Sequence, residues 1–76
     1  HSSPLSFSVF PNPANEQVIL EIGAEEYEVL VYDLRGLLVY RESNIDHLNL
    51  VGWSSGTYIL KVITETAVGA SRLIKL

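Results

Sequence analysis

In GTYILKVIT, residues 56–64, Tyr58, Leu60 and Val62 fall on one side of an extended chain, while Thr57, Ile59 and Lys61 fall on the other. The stretch therefore reads as a half-buried strand whose first set faces a core. QVILEI, residues 17–22, repeats the pattern with Val18, Leu20 and Ile22 against Gln17, Ile19 and Glu21. In YEVLVYD, residues 27–33, an aliphatic face of Tyr27, Val29 and Val31 opposes a mixed face of Glu28, Leu30 and Tyr32, as in a central strand partly covered on its second side. HLNL, residues 47–50, places Leu48 and Leu50 together.

Working outward, turn signals recur at short intervals, and the segments between them are rich in Val, Ile, Leu and Tyr, which suit a pleated surface better than a helix. Seven short strands are expected, at 6–10, 17–22, 27–33, 37–42, 47–50, 56–64 and 70–76. VYDLRGLLVY reads as a hairpin in which Asp33 caps a tight turn and Gly36 takes the left-handed conformation that closes a type I turn with a bulge. In PNPAN, Pro11 and Pro13 fix φ and hold the residues before them extended, so this is a stiff corner between the first two strands. That corner is expected to carry the first strand from one sheet edge to the other with little slack. The fold class is all-β, an immunoglobulin-like antiparallel β-sandwich of about seven short strands without the cysteines of antibody domains.

Seventy-six residues, 47% of them hydrophobic, suffice for one domain with one core. A chain this short buries only roughly 60% of the surface its unfolded form exposes. With no cysteine, neither a disulfide nor a thiolate metal site supports that core, so packing and strand pairing must hold it. The formal net charge is −4 and the five basic residues are dispersed, which argues against nucleic acid as a partner. No apolar run approaches the ~20 residues of a spanning helix, so the chain is not expected to span a membrane. HSSPLSF lacks the regions of a signal peptide, and the start at His1 reads as a fragment, with His1 itself a cloning remnant.

Catalytic chemistry finds little footing. The histidines are His1, at the chain start, and His47 beside Asp46, and adjacent strand residues point to opposite faces, so an oriented Asp46–His47 pair is not expected. Glu25 and Glu26 sit in a solvated turn with nothing to raise a pKa. Asp33, Glu42 and Asp46 are scattered among different turns, without the spacing of a calcium loop. No glycine-rich phosphate loop is present; no enzyme, metal site or cofactor is expected. Tyr27, Tyr32, Tyr40 and Tyr58 read as core or strand-filling residues, Tyr58 most clearly. Trp53 either plugs an end of the sandwich or faces a partner.

The order of the motifs is more specific than any one of them. VFPNPANEQVIL, EVLVYDLRGLLVY, LNL, SSGTYILKV and SRLIKL follow one another as in the type A C-terminal sorting domain of the type IX secretion system of Bacteroidota, which this chain resembles over nearly its whole length. Pro11, Asn12 and Pro13 match that family's opening motif; Val31, Tyr32, Asp33 and Gly36 match its hairpin; Gly56, Tyr58, Leu60 and Val62 match its late strand; and 72–76 resemble its ending. Phe10 and Arg72 stand where the family commonly has Tyr and Lys.

The resemblance implies a noncatalytic address label, with residues 1–5 a linker or cloning remnant and 6–76 the sorting domain. It implies as partners an N-terminal cargo joined to the label, the translocon with its shuttle proteins, and a sortase that removes the label. The path runs through the periplasm to the outer-membrane surface or beyond. Lys61, Arg72, Lys75 and Leu76 are the residues expected to be read, over a platform held by Tyr58 and Leu60; the other reading of the same side chains is as ordinary edge-strand charges that discourage aggregation. Unpaired strand edges would allow weak self-association. The alternative is an immunoglobulin-like accessory module that binds glycan through Trp53 or spaces a surface protein.

Overall fold

The computed structural model describes residues 3–76; the reading of His1 falls outside the described residues. The elements are β1 (Ser3–Pro4), β2 (Phe7–Phe10), β3 (Gln17–Ile22), β4 (Glu28–Asp33), β5 (Leu38–Ser43), β6 (His47–Asn49), β7 (Gly56–Ile63) and β8 (Ala67–Lys75). All seven expected strands form, and β1 precedes them. Two sheets result, ordered β1-β8-β7-β4-β5 and β2-β3-β6. Every pairing is antiparallel except the parallel contact of β1 with β8. The chain is an all-β sandwich of immunoglobulin-like type.

Alternation builds the interior directly. Val18, Leu20 and Leu48 of the smaller sheet meet Val29, Val31, Leu60, Val62 and Leu73 of the larger, none more than 3% exposed. Burying one such side chain fully contributes about 1.5–3 kcal/mol. β7 lies at the centre of the larger sheet, bonded to β4 on one side and β8 on the other. Its Tyr58, Leu60 and Val62 are buried, and the intervening side chains are only partly covered.

The β4–β5 hairpin forms as its residues require. The carboxylate of Asp33 accepts the backbone N–H groups of Arg35 (2.9 Å) and Leu37 (3.1 Å), and Gly36 donates to the Asp33 carbonyl at 3.0 Å. Gly36 has φ +88°, a conformation that a side chain disfavours. A register shift at Val31 and Tyr32 supplies the bulge.

Beyond shifts of a residue at strand ends, three features depart from the expected outline. The last strand begins at Ala67 rather than residue 70 because the preceding turn is tighter than its composition suggests. Thr64 closes it, its hydroxyl accepting the N–H of Ala67 at 2.9 Å while its own N–H donates to the Ala67 carbonyl at 2.8 Å. Gly69, which looked like part of that turn, lies inside the strand beneath Leu5 and Phe7. A Cβ there would strike the Leu5 carbonyl and come within 2.9 Å of the Phe7 ring. At the N-terminal end, Ser3 and Pro4 pair with Ala67 and Val68, and Leu5 donates to the Val68 carbonyl at 3.1 Å. The interval expected as linker thus contributes a strand from Ser3 onward.

The third correction concerns PNPAN. β2 and β3 are neighbours in one sheet, so the corner does not carry the first strand across the sandwich. The corner itself crosses. Asn12 donates through Nδ2 to the Arg72 carbonyl (2.7 Å) and accepts through Oδ1 the N–H of Ile74 (2.9 Å). Ala14 donates to the Ile74 carbonyl at 2.7 Å and accepts from Leu76 at 2.8 Å. Since Pro13 has no N–H to offer, the Asn12 amide supplies the donor and acceptor that a neighbouring strand would have provided.

Candidate recognition site

The register of the five-stranded sheet gathers the basic side chains. Residues paired across antiparallel strands share a face, so Arg41, Leu30, Lys61 and Ala70 form one row across β5, β4, β7 and β8. Leu38, Tyr32, Ile59 and Arg72 form the next. Both rows lie on the outer face. Three of the five Lys and Arg residues thus share one surface in a chain of net charge −4.

The balance of charge on this surface is uneven. Glu28 is the carboxylate on the same strand face, and Arg41 holds it through Nε at 2.7 Å. Lys61 and Arg72, diagonal neighbours on adjacent strands, have no acidic partner within ion-pairing distance among the described residues. The Lys61 ammonium lies 6.0 Å from the centre of the Tyr32 ring, at the outer limit of a cation–π contact. Leu30 is only 8% exposed although it faces outward, standing between its register partners Arg41 and Lys61. At the hairpin end the surface dips into a shallow hollow lined by Tyr32, Asp33, Leu34, Gly36, Ile59 and Lys61.

The expected recognition residues separate into two groups. Lys61 and Arg72 are together on the outer face, while Lys75, three residues from Arg72 and opposite Gly56, projects to the other side. Its ammonium donates to the Leu76 carbonyl at 2.9 Å, and Leu76 is 59% exposed at the end of the strand. The odd spacing of Arg72 and Lys75 was a sufficient signal for that separation. Arg41, Tyr32 and Ile59 were missed as members of the surface, since only the order of strands brings them beside Lys61. Tyr58 and Leu60 lie beneath as expected, 9% and 0% exposed.

The remaining family positions are structural. Pro11, Asn12 and Pro13 form the corner that binds β8; Asp33 and Gly36 form the hairpin; Gly56 opens β7 with φ +145°. Asp33 is held below the usual carboxylate range, first by the Arg35 guanidinium (2.8 Å) and then by the two backbone donors. Trp53 plugs the sandwich end, its ring centroid 5.1 Å from that of Tyr58 and 6.0 Å from that of Tyr40. Tyr27 and Tyr40 also pack on the core, and Tyr27 donates to the Ile45 carbonyl at 2.5 Å. Tyr32 differs from the other three and lies on the outer face.

Asp46 and His47 do pair, at 3.0 Å, against expectation. Asp46 lies in a bend just before β6, so strand alternation does not constrain it. The bond lowers the Asp46 pKa. Both side chains are exposed, and no hydroxyl is bonded to His47 among the described residues, so the pair has no nucleophile to activate. Three metal-ligating side chains converge nowhere among the described residues.

No curated protein matches the chain. The family model of the secretion system C-terminal sorting domain matches residues 8–76, from within β2 through the chain's last residue. That span contains the corner, the hairpin, the central strand and the basic face. The chain therefore belongs to the C-terminal sorting domain family of the type IX secretion system, a secretion signal that engages that machinery on the way through the periplasm and outer membrane.

Proposed function

We propose that this domain directs a cargo joined to its N-terminal side through the type IX outer-membrane translocon, after which a sortase removes the label and the cargo is attached to the cell surface. The family match over residues 8–76 carries this reading. The label acts by being bound, with translocon and shuttle proteins reading the folded sandwich. Lys61 and Arg72 on the outer face, with Lys75 and Leu76 at the strand end, form the surface that is read. The Asn12 and Ala14 hydrogen bonds to β8 support a fixed presentation of those residues. The open edges of β5, β2 and β6 leave room for weak self-association.

The test is export of a fluorescent reporter that bears a signal peptide and is fused to the 76 residues. Arrival at the surface or in the medium only in a strain with a working type IX apparatus is the expected result. Retention in the periplasm of both that strain and one lacking the apparatus would refute the proposal.

A further inference from the structure

The two outer faces of the sandwich differ in charge. On the smaller sheet the outward positions, Ser8, Phe10, Gln17, Ile19, Glu21, His47 and Asn49, include no Lys or Arg. On the larger sheet Arg41, Lys61 and Arg72 surround Leu30, Tyr32 and Ile59. A cationic rim around a half-covered apolar centre is the composition of a protein-binding surface, with Arg and Tyr prominent among the residues that contribute most at interfaces. Guanidinium forks match carboxylates in pairs, and the shallow hollow at the hairpin end has Tyr32, Leu34 and Ile59 in its lining.

From this charge complementarity we infer that the outer face of the five-stranded sheet docks an acidic protein surface, one that presents carboxylates to Lys61 and Arg72 and inserts an apolar side chain into the hollow beside Tyr32. The inference rests on the sorting reading and deepens it: the translocon component that reads the label is acidic at the contact. Arg41 takes part once its bond to Glu28 is exchanged for one to the partner. Lys75 lies on the opposite side of β8, outside this face. Docking of this kind weakens as ionic strength rises, because the contributing charges are exposed.

The experiment uses the same reporter in the strain with a working apparatus. The fusion carrying Arg41→Glu, Lys61→Glu and Arg72→Glu is expected to lose export by about tenfold or more. Glu21→Lys on the opposite sheet is expected to leave export unchanged. A neutral set, Arg41→Gln, Lys61→Gln and Arg72→Gln, accompanies the reversal in case the latter unfolds, and thermal melts of the purified domains identify folded variants. A photo-crosslinking residue at Ile59 is expected to form an adduct with a type IX translocon protein that disappears at high salt. Normal export of a folded reversed or neutral variant overturns the inference while the sorting reading stands. An adduct confined to lipid, or to a second copy of the reporter, overturns it equally. If the unsubstituted fusion is not exported, the sorting reading itself fails and this inference falls with it.

Discussion

The two long sides of the five-stranded sheet are finished in opposite ways. Along β8 the outward backbone groups of Val68, Arg72, Ile74 and Leu76 are bonded to Leu5, Asn12 and Ala14, none of which lies within a strand. Along β5 no further strand pairs with the edge among the described residues, and Leu38 and Val39 stand 46% and 45% exposed there. The difference shows where order is concentrated. The C-terminal strand is held on both sides over much of its length, whereas β5 depends on β4 and the hairpin turn.

The sharpest way to break that comparison is to shorten one apolar side chain on each strand. Leu73→Ala on β8 deletes a fully buried leucine between the sheets and is expected to cost about 2–5 kcal/mol. Val39→Ala on β5 is expected to stay within about 0.5 kcal/mol. Denaturant melts of both variants check the pair, and equal losses would mean that β5 is held by more than its hairpin.

Gly36→Val tests the turn on which β5 depends. A β-branched residue at φ +88° is expected to cost about 1–3 kcal/mol and to disturb the register of β4 and β5. Amide exchange should rise first along β5, with β8 still protected; an unchanged melt would sink the turn assignment. Asn12→Ala attacks the opposite side by removing a donor and an acceptor at once, with an expected loss of about 1–2 kcal/mol. Asn12→Asp should be worse than Ala, since a carboxylate oxygen would then face the Arg72 carbonyl. If Asp proves the milder change, the amide is not substituting for a strand.

The smallest effect is a matter of pH. Asp33 has its pKa lowered in the folded hairpin, so its contribution is present above the unfolded carboxylate value and is lost as pH falls through the folded one. Asp33→Asn should melt below the parent domain at neutral pH, and the two curves should converge on acidification below about pH 4. Parallel curves at every pH would remove Asp33 from the account of the hairpin.

What could be read in the sequence was whatever depends on neighbours along the chain. Side-chain alternation exposed the inner faces of β3, β4 and β7, and Asp33 with Gly36 marked a turn whose chemistry is complete within five residues. Asn12 was visible only as part of a stiff corner because its partners lie 60 and 62 residues away. The Asp46–His47 pair was misjudged because the rule of opposite faces holds inside a strand, and the strand starts one residue later. Lys61 and Arg72 could be placed near one another as members of the last two strands. Arg41 could not, since its place beside Lys61 depends on β4 lying between β5 and β7.

The bond from Asn12 to the backbone of residues 72 and 74 also has a consequence in time. A chain made from its N-terminus lays down the corner early, yet the corner's partners come 60 and 62 residues later, with Leu73, which fills the core, between them. A copy that stops short of this strand has an open edge, a hollow interior and no Arg72. The corner and the core between the sheets therefore close only once β8 has been made, so an element laid down early waits on one laid down late before the sandwich is whole.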